Sequence, residues 1–201
     1  MNTPFLQVFT AKIPKYTGET LYPQARQEEI SSVKNEKTRT EKYGVWKLLQ
    51  YAVEKTLSRP FTEFVFTKNT NGKWLCKDFY FSLSHSKNAV AVAISSAPVG
   101  VDIQKDQPLQ SLSIAKKMLT EEEYKTYQNL PKTQMNAYLV GTWTKKEAAF
   151  KRSDENRFTP TKIQLSDTEN CIKTKIEDEE YFLSTSSTLL HLLSIHENVI
   201  L

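Results

Sequence analysis

Three short stretches of this chain carry side chains whose type and spacing could do chemistry. The first is Val99-Gly100-Val101-Asp102-Ile103-Gln104. Read as a strand, its period of two puts Val99, Val101 and Ile103 on one face. Asp102 and Gln104 share the other, about 7 Å apart, with Gly100 leaving room beside the carboxylate. Alone, the pattern also fits a strand end meeting solvent. The second is Trp143-Thr144-Lys145-Lys146-Glu147-Ala148-Ala149-Phe150-Lys151. On a helix, Trp143, Glu147 and Lys151 fall at i, i+4 and i+8 and share one face. A surface Glu-to-Lys pair, worth about 0.3 kcal/mol, would explain two of them. The tryptophan argues for a partly buried stripe, where a lone carboxylate needs a partner. The third is Phe81-Ser82-Leu83-Ser84-His85-Ser86, a histidine among hydroxyls just past a strand. A turn with local side-chain hydrogen bonds accounts for it. A Ser/His nucleophile is the weaker reading, because no Gly-x-Ser-x-Gly elbow accompanies it.

The elements that must position these residues follow from periodicity. Val45, Leu48, Leu49, Ala52 and Val53 make one apolar face of a helix over 37–57, stopped by Pro60. Strands are expected over 62–66, 79–84, 89–94 and 99–103, with a turn at Asn71-Gly72. Helices are expected over 112–118, 121–129 and 135–152, the second capped by Thr120 with Glu123 three residues on. Short strands over 162–165, 172–176, 181–184 and 189–195 complete the chain. Tyr80-Phe81 followed by Ser84, Ser86 and Ile94 is echoed by Tyr181-Phe182 followed by Thr185, Ser187 and Ile195 at a constant shift. The echo and the order of elements predict an α+β fold of two similar halves, 1–104 and 105–201, related by a pseudo-two-fold duplication. The site is then expected in the cleft between them.

Composition bounds the partners. The 201 residues are 39% hydrophobic and 25% charged, with net charge +4. This is globular composition with a mild basic excess suited to phosphates or carboxylates. There is no basic run with interleaved aromatics, which argues against nucleic acid. Cys76 and Cys171 sit in no metal-type cluster. The first fifteen residues hold no long apolar run, so no signal peptide or membrane span is expected and the reading is cytoplasmic.

In order and spacing, the set Gly72-Lys73, Phe81-Ser-Leu-Ser-His85-Ser, Gly100-Val-Asp102-Ile-Gln104 and Trp143-Thr-Lys-Lys146-Glu147-Ala-Ala-Phe-Lys151 resembles the 4′-phosphopantetheinyl transferase superfamily. Length and doubled architecture are similar to its monomeric, surfactin-synthetase-activating type. The resemblance covers roughly 37–151 and implies transfer of phosphopantetheine from coenzyme A to a serine of an acyl- or peptidyl-carrier protein. It implies that Asp102 and Glu147 bind Mg²⁺. A third ligand, usually acidic in the family, would be Gln104, whose amide oxygen brings no charge. Ser84, His85 and Lys42 would meet the 3′-phosphate of coenzyme A. Lys73 would lie by its adenine nucleotide, Lys146 would also face the cofactor, and Lys151 would touch the pyrophosphate. Glu147, or a metal-bound water that it orients, is the expected base for the carrier serine. The segment 112–127 would dock an acidic carrier through Lys116 and Lys117, with Met118 and Leu119 as apolar contacts. The alternatives are a non-catalytic anion- or nucleotide-binding module and a degenerate family member that binds coenzyme A without turnover.

Overall fold

The computed structural model describes residues 3–108, 112–153 and 155–201. Its first part runs β1 (Leu6–Lys12), α1 (Gln24–Ser31), α2 (Glu36–Leu57), β2 (Phe66–Lys68), β3 (Trp74–Cys76), β4 (Tyr80–Ser86) and β5 (Ala89–Ser95). The second runs β6 (Val99–Lys105), α3 (Leu112–Met118), α4 (Glu121–Gln128), α5 (Lys132–Arg152), β7 (Glu169–Ile176), β8 (Glu179–Ser187) and β9 (Leu193–His196). The α+β class is as expected. The expected boundary after Gln104 falls one residue before the end of β6.

Two sheets form the middle of the molecule, β4-β5-β1-β9 and β6-β8-β7. The first is antiparallel apart from the parallel pair β1 and β9. Helix α2 lays Trp46, Leu49 and Val53 over Phe9, Phe81, Val92 and Ile94 of that sheet. Its other face packs Leu6, Val8, Ala91 and Ala93 on Val101, Ile103, Tyr181 and Leu183 of the second sheet. Helix α5 covers the far side of the second sheet. The layers are therefore α2, sheet, sheet, α5. In β1, Phe9 and Val8 sit in different cores. A strand buried on both faces has no alternation to read, and β1 has no counterpart in the sequence-based expectation. Nor has α1, whose turns pack little apolar surface.

Two of the three motif-bearing elements, β6 and α5, match their sequence signals; the third runs on, β4 reaching Ser86, so His85 lies inside a strand paired with β5 and not just past it in a turn as expected. Helix α2 starts on Asn35, whose side chain accepts from the Thr38 amide, and ends on Ser58 at φ 53°. Helix α4 carries the expected capping box of Thr120 and Glu123. Gly72, at φ +77°, closes the β2–β3 hairpin at the expected turn. Two expected strands are instead 3₁₀ turns, Phe61–Glu63 and Pro160–Lys162. Both begin at or next to a proline, which fixes φ and withholds a ladder donor. The Tyr-Phe echo falls on β4, at the edge of its sheet, and on β8, in the middle of its own, so it does not pair equivalent positions. Among the described residues no helix is long and apolar enough to cross a membrane.

Candidate active site

The site begins where β4 meets the free edge of β6. Strand β6 pairs with β8 on one side only, so alternate amides on its other edge need acceptors. Ser82, Ser84 and Ser86 supply them. Their hydroxyl oxygens accept from the amides of Val101, Ile103 and Lys105 at 3.0, 3.2 and 3.1 Å. A serine at every second position of β4 thus does the work of a neighbouring strand, and it fixes β6 against the first sheet. The same alternation turns His85 the other way, toward α2.

On β6, Gly100 admits α5. A Cβ there would lie 1.8 Å from the Ala148 carbonyl oxygen and 2.8 Å from the Arg152 nitrogen. Only a glycine permits this approach, and it brings the stripe of Glu147 and Lys151 onto Asp102. Asp102 is 6% exposed. Its Oδ1 accepts from Lys151 Nζ and Ser84 Oγ, both at 2.7 Å. The Lys151 ammonium also donates to the Val101 carbonyl at 3.2 Å and Ser84 Oγ at 3.1 Å. Burial pushes the Glu147 carboxyl above the ordinary glutamate range; Lys151 opposes the shift and the charge of Asp102 adds to it. The fold thus brings together Asp102, Glu147 and Lys151, which the family resemblance grouped.

The other expected residues divide. Lys73 donates to the Lys151 carbonyl at 2.9 Å and lines a cavity of about 410 Å³ with Trp74, Phe81, Phe150, Lys151 and Asn156. Ser84 is spent on Asp102, Lys151 and β6. His85 is half exposed, with Nδ1 3.8 Å from Glu41 on α2. Burial lowers its pKa, with Lys151 and Lys37 adding to that effect and Glu41 and Asp102 opposing it. Glu41 and Lys37 also line a cleft with Lys12, Lys15, Thr40 and Lys87. Those lysines carry no motif, and only the strand and helix that bring them together single them out. Lys42 points elsewhere, its Nζ 2.9 Å from Glu29. Adjacent residues on a helix are about 100° apart, so a one-residue uncertainty in register decides which reaches the cleft.

Lys146 does not face the cleft. It is fully buried, with Nζ 2.5 Å from Glu123 Oε2, 3.1 Å from the Met118 carbonyl and 2.8 Å from the Pro160 carbonyl. Those partners consume its three donors, and it ties α5 to α3, α4 and the loop after α5. Gln104 shares Asp102's face, opposite Phe182. It lines an apolar cavity of about 570 Å³ with Ile114, Met118, Val140, Trp143 and Phe158. Lys116 and Lys117 are exposed beside it. Leu119, 3% exposed, belongs to the core beneath α3 and α5 and is not a surface contact as expected; Met118 reaches the surface only through this cavity.

The residues present fit a divalent cation. Two carboxylates share a partly desolvated space, and Lys151 occupies it as a positive counter-charge. One or two carboxylates with substrate phosphates is the ordinary Mg²⁺ set. Among the described residues no group of three or more His, Cys, Asp or Glu converges, in keeping with an amide at position 104.

Comparison with known proteins is consistent with this site. Residues 98–196 match the model of the 4′-phosphopantetheinyl transferase superfamily. The chain is 32% identical over 107 residues to the 4′-phosphopantetheinyl transferase psf-1 of Bacillus pumilus, covering 52% of this chain and 46% of that protein. It is 34% identical over 83 residues to the 4′-phosphopantetheinyl transferase Sfp of Bacillus subtilis (strain 168), covering 41% and 37%. To the 4′-phosphopantetheinyl transferase gsp of Aneurinibacillus migulanus it is 30% identical over 114 residues, covering 56% and 48%. The matched region spans about half, or less, of the length of these relatives.

Proposed function

We propose, from the premise that the chain belongs to the 4′-phosphopantetheinyl transferase superfamily, that it transfers phosphopantetheine from coenzyme A to a serine of an acyl- or peptidyl-carrier protein. The observation that carries this reading is the convergence of Asp102, Glu147 and Lys151 across Gly100. Asp102 and Glu147 would hold Mg²⁺, with Gln104 beside them. The cation supplies charge stabilisation on the pyrophosphate when bound. Lys151, free to leave Asp102 once that charge is matched, turns its ammonium to the pyrophosphate. Glu147, beside the cation, would take the proton of the carrier serine. The serine oxygen bonds to the β-phosphorus, the bond to the bridging oxygen breaks, and 3′,5′-ADP departs.

The nucleotide fits the cavity at Lys73, where Trp74, Phe81 and Phe150 offer apolar surface. The 3′-phosphate fits the cleft of Lys12, Lys15, Lys37 and Lys87, which Glu41 joins to His85. The exposed Lys116 and Lys117, beside the apolar cavity at Gln104, suit an acidic carrier. Setting aside the β2–β3 hairpin and β9, each half runs strand, helices, strand, strand. In each, the first and third strands pair and the third pairs with the second: β1, β5, β4 and β6, β8, β7. This supports duplication, and with both halves in one chain a monomer suffices. The cytoplasm, where coenzyme A and apo-carriers meet, is the expected location.

The test is intact-mass analysis of apo-carriers incubated with the protein, coenzyme A and Mg²⁺. A gain of one phosphopantetheine is expected, and Asp102→Ala or Glu147→Ala should nearly abolish it while the protein stays folded. Full turnover by either variant would overturn the assignment. Coenzyme A binding with no transfer to any carrier would mark a non-catalytic member instead.

A further inference from the structure

Lys151 spends all three of its donors on the protein itself. Its ammonium donates to Asp102 Oδ1 at 2.7 Å, to Ser84 Oγ at 3.1 Å and to the Val101 carbonyl at 3.2 Å. Ser84 closes a triangle, donating to the same Oδ1 at 2.7 Å while it accepts from the Ile103 amide at 3.2 Å. Asp102 is 6% exposed, and a carboxylate that buried needs a matching charge. The charge of Lys151 also reaches Glu147 and opposes the rise that burial imposes on its carboxyl. One ammonium therefore serves the two carboxylates that fit a divalent cation.

The same side chain has a second place to go. Lys151 lines the cavity at Lys73, and its flexible four-carbon stem can turn the ammonium that way. Lys73 donates to the Lys151 carbonyl at 2.9 Å, which holds the backbone in place while the side chain moves. Each ligand alone then meets a cost. A cation without a phosphate repels the ammonium from Asp102 and offers it no new acceptor. A pyrophosphate without a cation draws the ammonium away and leaves a buried carboxylate unmatched. When both bind, the cation matches Asp102 and the phosphate matches Lys151.

We propose that Lys151 is a built-in counter-ion, competing with the divalent cation for Asp102 and so coupling the binding of cation and coenzyme A. The proposal rests on the reading that Asp102 and Glu147 hold that cation. It makes the coupling a property of one side chain, and such coupling is reciprocal: each ligand tightens the other by the same factor.

The experiment measures the Kd of the full chain for Mg²⁺ by calorimetry, first without coenzyme A and then with it, and follows thermal unfolding in parallel. Lys151→Gln should be less stable than wild type without Mg²⁺, because Asp102 loses its matching charge. It should bind Mg²⁺ alone about tenfold more tightly and gain more stability from it. Adding coenzyme A should then tighten Mg²⁺ binding less than it does in wild type. Lys151→Arg keeps the charge and can grip a carboxylate through two N–H groups. It should bind Mg²⁺ alone no more tightly than wild type. Lys73→Gln removes a neighbouring charge that is bonded to a carbonyl, and should leave the Kd for Mg²⁺ alone unchanged. An unaltered or higher Kd for Mg²⁺ alone in Lys151→Gln overturns the proposal. So does a tightening matched by Lys73→Gln, which would be a general effect of net charge. A Lys151→Gln chain that stays unfolded at saturating Mg²⁺ also overturns it, since the cation should replace the missing charge. Asp102→Ala separates the two levels. If it abolishes the Mg²⁺ response while Lys151→Gln leaves the Kd unaltered, only the role of Lys151 fails. If Asp102→Ala keeps the response, the cation reading itself fails.

Discussion

At the scale of single residues, Glu147 shows how a candidate site opposes stability. Burial lifts its carboxyl above the ordinary range, so the folded protein binds that proton more tightly than the unfolded chain. The contribution is complete below the ordinary glutamate pKa, about 4.3, and is lost as pH rises through the elevated value. Glu147→Gln should therefore be more stable than wild type at neutral pH without Mg²⁺, and the gap should close toward pH 4. Adding Mg²⁺ should reverse the order. Denaturant unfolding between pH 4 and 8 measures this, and a variant less stable throughout would refute it. His85 and Lys42 make a second contrast. His85→Ala should raise KM for coenzyme A about tenfold and weaken the preference over dephospho-coenzyme A. Lys42→Ala, which removes a partner of Glu29, should leave that preference intact and lower stability.

At the scale of elements, two charges, one half-buried and one fully buried, hold the frame. Glu29 takes Arg26 and Lys42 at 2.9 Å, Lys68 at 2.8 Å and the Trp74 indole N–H at 3.1 Å. Burial would raise its carboxyl, yet those bonds and the charge of Arg26 hold it down to about 2. It joins α1, α2 and the β2–β3 hairpin that carries Lys73. Lys146 does the same for α3, α4 and α5. Replacing it with methionine takes the buried ammonium from Glu123 and from the Met118 and Pro160 carbonyls, and leaves the Glu123 charge only the Thr120 amide. Lys146→Met should cost about 3–5 kcal/mol of stability, with KM for coenzyme A unchanged in the folded fraction. An altered KM at wild-type stability would return Lys146 to the substrate site.

At the scale of the molecule, the C-terminal segment closes the fold back on its start. Strand β9 pairs with β1 in parallel, and the His196 ring stacks on Phe9 at 4.4 Å. Asn198 and Val199 donate their amides to the Thr10 hydroxyl and carbonyl at 3.4 and 2.8 Å. The segment carries no motif, yet it covers the edge of the sheet that α2 and the second sheet share. Truncation before Leu193 should sharply lower the unfolding temperature and with it activity, since an uncovered β1 edge invites association. Circular dichroism and size-exclusion chromatography would report both effects. A truncated chain that stays monomeric, with wild-type stability, would show the segment dispensable.

The sequence by itself determined what is written in local spacing. Asp102 in its strand, Glu147 and Lys151 one turn apart, the Thr120–Glu123 cap and the long helices are fixed by periods of two and 3.6, which a linear chain displays. Tertiary structure decided everything that depends on which face meets which. Trp-x-x-Lys-Glu reads the same whether the lysine enters solvent or a buried socket; only the packing of α3, α4 and Pro160 around α5 sends Lys146 inward. Ser84 and His85 are adjacent in sequence and serve opposite sides of β4, because the free edge of β6 draws the serines. Strand β1, buried on both faces, has no periodic signature at all. Ser184 is an ordinary serine until the strand register sets it between Asp102 and Cys171, because register across a sheet is a property of three dimensions.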